Sequence, residues 1–120
     1  MNLVLWSAQG LLAAMFAMAG VMKATRPADE LAKRMAWVNS VSPATLRFIG
    51  VSELLGALGL VLPWATGIAP ILTPLAAAGL VTVMVLAAGL HVKRGEYGAI
   101  AINAVIGGLS AFVAWGRFHR

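Results

Sequence analysis

Four long apolar blocks, each closed by a short polar or basic segment, organise this chain. The expected spans cover 3–22, 44–62, 71–90 and 99–115. Each approaches the roughly 20 apolar residues that a helix needs to cross a bilayer core. Inside lipid every backbone amide must find a partner, and a helix provides one within a single segment. The pattern therefore predicts an all-α fold, a four-helix transmembrane bundle forming one domain over 1–120. No basic residue precedes the first block, and no clear small-residue cleavage signal precedes Lys23. The block reads as a retained span rather than a signal peptide.

The segments between the blocks carry their own signals. Lys23 and Arg26 close the first span, and Pro27 suits the first turn of a new helix. Asp29 and Glu30 lie early in that helix, with Lys33 and Arg34 late, as the helix dipole favours. Leu31, Met35 and Val38 recur at i, i+4 and i+7, and Trp37 adds an interfacial ring. These residues predict a short amphipathic interfacial helix between spans 1 and 2, with a solvated connector as the alternative. Ser42-Pro43 resembles an N-cap followed by proline in the first helical position. Pro63-Trp64 is expected to end the second span, and the uncharged connector to Pro70 then forces an antiparallel hairpin. Gly95-Glu96-Tyr97-Gly98 reads as a tight return between the last two spans.

Composition sharpens the picture. Hydrophobic residues make up 61% of the chain and charged residues 11%, against about 45–50% and about 25% in soluble domains. The net charge of +5 would suggest nucleic acid in a soluble chain. Here the cations sit between apolar blocks, so nucleic-acid binding is set aside and the lipid bilayer is the expected partner. Lys23, Arg26, Lys33, Arg34, Lys93 and Arg94 fall on one side, and Arg117 and Arg120 on the other. This asymmetry places basic loops 1 and 3 in the cytoplasm and both termini outside. There is no cysteine, which excludes thiol–disulfide chemistry and thiolate metal sites within the chain. No His/Asp/Glu cluster has metal-ligand spacing, and no phosphate loop or nucleophile elbow is present.

Small residues line three spans: Gly10, Ala13, Ala17 and Gly20; Ser52, Gly56 and Gly59; Asn103, Gly107, Ser110 and Ala114. Such faces let membrane helices approach closely. Ala19-Gly20 with Lys23 is loosely echoed by Ala88-Gly89 with Lys93, as a duplicated hairpin would produce.

Glu53 breaks the pattern. It sits about 15 Å from either end of its span, too deep to reach water as a lysine does. An ionisable residue at that depth is a candidate functional site. Lys23, Arg47, His91, Asn103 and Tyr97 all lie toward the same end. They are expected to converge with Glu53 on a cavity opening to the cytoplasm. The alternatives are interfacial anchors for the cations and His91, helix–helix glue for Asn103, and a buried lock for Glu53. Arg47, six residues before Glu53, stands about 120° around the helix from it. With no cation one turn away on its face, Glu53→Gln is expected to leave stability unchanged or raised. Gln9 is expected to act as interhelical glue.

Gly20-Val21-Met22-Lys23, the second-span run Ile49-Gly50-Val51-Ser52-Glu53-Leu54-Leu55-Gly56-Ala57-Leu58-Gly59, His91 and Asn103 together resemble the DoxX / DoxX-like family of small bacterial membrane proteins. The resemblance covers nearly the whole chain and implies a four-helix bundle in the bacterial inner membrane. The family's name comes from a subunit of a thiosulfate:quinone oxidoreductase, and relatives are associated with oxidative-stress complexes. The first functional reading is therefore an accessory or binding subunit. It would hold a quinone or other apolar molecule for a redox or stress-related partner, with no covalent cofactor. Two alternatives stand beside it. One is a proton-coupled small transporter using Glu53, for which a homo-oligomer would be needed. The other is a purely structural assembly subunit.

Overall fold

The computed structural model describes residues 1–33 and 35–119; Arg34 and Arg120, counted above on opposite sides, lie outside the described residues. The chain runs through α1 (Asn2–Thr25), α2 (Ala28–Ala32), a 3-10 helix (Ala36–Ser40), α3 (Pro43–Thr66), α4 (Leu72–Arg94) and α5 (Tyr97–Phe118). Helices α1, α3, α4 and α5 are long and apolar enough to cross a membrane. They pack as a ring in which α1 meets α3, α3 meets α4, α4 meets α5 and α5 returns to α1. The long dimension is 41 Å, which exceeds the roughly 30 Å of a hydrocarbon core. Leu12, Phe16, Leu60, Leu80 and Val113 fill the interior. Leu3, Met18, Phe48, Leu86 and Val105 are exposed on the outside, where lipid is the matching solvent.

Glycines set the spacing of the ring. A Cβ added to Gly20 would lie 2.7 Å from the Gly50 carbonyl oxygen, and one added to Gly50 would lie 2.5 Å from the Ala24 nitrogen. Helices α1 and α3 thus meet backbone to backbone, the contact that small residues permit in membranes. Gly56 and Gly59 bring α3 equally close to Leu80 and Ala76 of α4. The echo between 19–23 and 88–93 has no counterpart in packing, because Gly89 faces open space.

Each span is longer than its apolar block, and Pro63 corrects the sequence reading most clearly. It lies inside α3 and does not end it. Proline lacks an N–H, so the carbonyl four residues earlier, that of Gly59, loses its helical donor. The Thr73 hydroxyl donates to that carbonyl at 2.7 Å. Gln9 Nε2 donates to the next carbonyl, of Leu60, at 2.6 Å. A side chain from α4 thereby satisfies the carbonyl that proline strands, and one from α1 adds a bond to its neighbour. The helix continues to Thr66 and ends on Gly67, whose φ of 74° is the left-handed cap glycine adopts readily.

The connector between the first two spans is two short helical pieces rather than one helix. Leu31 and Val38 are buried with Leu46 of α3, and Met35 packs against them. Much of the apolar face expected to rest on lipid is taken up by protein, because Leu46 in the first turn of α3 offers it a closer partner. Ser42 caps α3 as expected, its hydroxyl accepting from the Thr45 N–H at 3.1 Å.

Candidate functional site

Helices α3 and α4 touch closely where Gly56 and Gly59 allow it. Toward the other end they stand apart around a cavity of about 450 Å³. Its walls include Phe48, Val83, Met84, Leu86 and Leu90, and its polar lining includes Lys23, Glu53, His91 and Asn103. Four of the six site residues expected from sequence therefore share one cavity. The other two do not line it. Tyr97 is exposed in the first turn of α5. Arg47 turns to α1 and donates to the Lys23 carbonyl oxygen at 2.8 Å, satisfying one of the acceptors a helix leaves open at its C-terminus.

Glu53 is fully buried and has a cation after all. Lys23 Nζ lies 2.8 Å from its Oε1. The partner comes from α1, which the count of turns along α3 had no means of revealing. Gly50 rests on the backbone of Lys23 and Ala24, and Gly20 rests on Leu54. That contact holds the lysine and the glutamate side by side. The expectation that Glu53→Gln leaves stability unchanged or raised loses its premise, since the change strands an ammonium whose side chain is only 12% exposed. Lys23 Nζ also lies 5.3 Å from the Trp37 ring centroid, within range of the ring's negative face.

His91 sits in the last turn of α4, buried, with Nδ1 2.9 Å from Glu96 Oε1. Arg94 Nε donates to the same oxygen at 3.0 Å, and its guanidinium also bonds the Ser40 hydroxyl. The His91 hydrogen bond, chiefly, holds the Glu96 carboxyl below its ordinary range; partial burial opposes this, and Arg94 adds to the lowering. A carboxylate at one ring nitrogen fixes the orientation of the imidazole beside the cavity.

Asn103 of α5 has a buried Nδ2 with no hydrogen bond among the described residues. A buried donor left unmade costs about 1–3 kcal/mol, and the same residue lines the cavity. Among the described residues, no group of three or more His, Asp or Glu could hold a metal ion.

A second polar cluster, at the opposite end, escaped the sequence reading. Arg117 is 3% exposed. Its Nε donates to Gln9 Oε1 at 2.7 Å and its Nη1 to Asn2 Oδ1 at 2.9 Å. The guanidinium carbon lies 4.5 Å from the Trp64 ring centroid and 5.5 Å from that of Trp6. Gln9, an amide within an apolar span, was the available signal that a partner existed. Arg117 resembled a loop charge because only three residues follow it.

The pattern of the DoxX-like family matches residues 7–113, a stretch that holds every residue of the cavity. No curated protein and no solved structure matches the chain.

Proposed function

The chain belongs to the DoxX-like family, and from that premise we propose an accessory or binding subunit of the bacterial inner membrane that holds a quinone or other apolar small molecule for a redox or stress-related partner. The observation that carries this reading is an apolar-walled cavity of about 450 Å³ with Lys23, Glu53, His91 and Asn103 in its lining. Small-molecule sites typically enclose about 300–1,000 Å³, with mostly apolar walls and a few placed polar groups. A quinone offers ring carbonyls as acceptors and an apolar body to match. The Asn103 amide, once turned into the cavity, would donate to one carbonyl, and Lys23 lies in the same cavity as a further donor.

Extraction in mild detergent followed by mass spectrometry of the retained lipids tests the reading. A quinone near one per chain, lost in Asn103→Leu, is the expected result. Protein that retains no such molecule but carries a stoichiometric polypeptide would favour the assembly-subunit reading, for which the Lys23–Glu53 lock is the supporting observation. The proton-carrier alternative would require Glu53 to leave Lys23 during each cycle.

Basic loops in the cytoplasm and termini outside complete the proposal. The cysteine-free chain makes labelling simple. Ile68→Cys, in the α3–α4 connector, should react with an impermeant maleimide on intact cells. Lys93→Cys should react only after permeabilisation, and the opposite result would invert the topology.

A further inference from the structure

The cavity is walled off unevenly. Trp37 and Val41, on the segment leading into α3, cover its loop end, and the Arg94–Ser40 bond ties that segment to α4. Lys23, only 12% exposed at its side chain, stands beneath Trp37. On the outer face of the α3–α4 seam the lining is apolar and open instead. Phe48 of α3 is 72% exposed and Leu86 of α4 is 70% exposed, and both line the cavity. Phe48 stands about 7.5 Å along α3 from its start and Leu86 about 12 Å before the end of α4, at 1.5 Å per residue. Both lie inward of the helix ends, toward hydrocarbon. An opening onto water there would leave two large apolar side chains in solvent.

We infer that the cavity is loaded sideways from the bilayer, through a doorway between Phe48 and Leu86, by a lipid-dissolved amphiphile. Its acceptor-bearing head reaches Asn103, and its aliphatic tail stays in the α3–α4 seam. The inference rests on the proposed function and deepens it by naming the class of ligand and its route. The tail is the one occupant that fits, for three reasons. The seam is continuous with the cavity. Its rim is apolar on both helices. Gly56 and Gly59 pin the two helices together beyond it, so the seam opens only at the cavity end.

The test uses the full chain in phospholipid vesicles with decyl-benzoquinone dissolved in the lipid. Quenching of Trp37 fluorescence reports loading, and a Trp37→Phe variant identifies its share of the signal. Leu86→Phe should slow loading several-fold, and Phe48→Ala should speed it. Ser40→Ala, which loosens the loop-end cover, should leave the rate unchanged. The opposite pairs of effects guard against a variant that merely misfolds. If the doorway variants load at the wild-type rate while Ser40→Ala loads faster, the route runs through the loop end and the inference is overturned. If no variant and no wild-type protein shows quenching, the quinone reading itself fails, and the doorway with it.

Discussion

Lys23 Nζ and Glu53 Oε1 lie 2.8 Å apart, on helices whose backbones meet at Gly20 and Gly50. The ion pair and the glycine contact are one arrangement. Without the glycines α1 would stand off α3, and the lysine would lose its reach to a carboxylate buried in the bundle.

Glu53→Gln should accordingly lower stability by about 3–5 kcal/mol, the usual cost of breaking a buried pair from one side. The partner left behind causes the loss, so Glu53→Gln combined with Lys23→Met should recover most of it. Thermal unfolding in one detergent, for the single and double variants, reads both effects. A single variant that melts with the wild type would show that the pair carries no stability.

Thr73→Val should cost about 1–3 kcal/mol by leaving the part-buried Gly59 carbonyl without a donor. Pro63→Ala restores an N–H at the position that normally serves that carbonyl. The double variant should therefore lose less than Thr73→Val alone. A double-mutant cycle on unfolding free energy measures the coupling, and additive effects would mean that proline and threonine act separately.

Acid should loosen the turn between α4 and α5. The Glu96 carboxyl is held below its ordinary range, foremost by the His91 hydrogen bond. A depressed folded-state value contributes stability above the unfolded value, and that contribution fades as pH falls through the folded one. Limited proteolysis at the turn should thus accelerate below about pH 4, the ordinary carboxylate range. Glu96→Gln should cut quickly at neutral pH and respond less to acid. Equal acid responses in the two proteins would place the sensitive group elsewhere.

The spans were legible because crossing lipid demands long apolar runs with internally paired backbone, a constraint each segment meets alone. Glu53 was legible for the converse reason: a carboxyl at that depth is costly enough to stand out in one dimension. The Ser42 cap and the return at Gly95 likewise depend on neighbours in sequence. Which cation meets Glu53 depends on the height and rotation of α1 against α3. Arg47 was nearer along the chain and Lys23 nearer in space, and only packing chose between them. Pro63 read as a terminator under a rule for isolated helices, and the tertiary structure overrode it by supplying the Thr73 hydroxyl to the stranded Gly59 carbonyl. Arg117 read as an end charge until closure of the ring, α5 against α1, brought Gln9 and Asn2 to it. Composition and spacing thus determined that the chain forms spans and carries a costly carboxyl. The partners of its polar groups, and the cavity among them, were decided only when four helices found their relative heights, because no pairwise distance across helices is encoded in spacing along one of them.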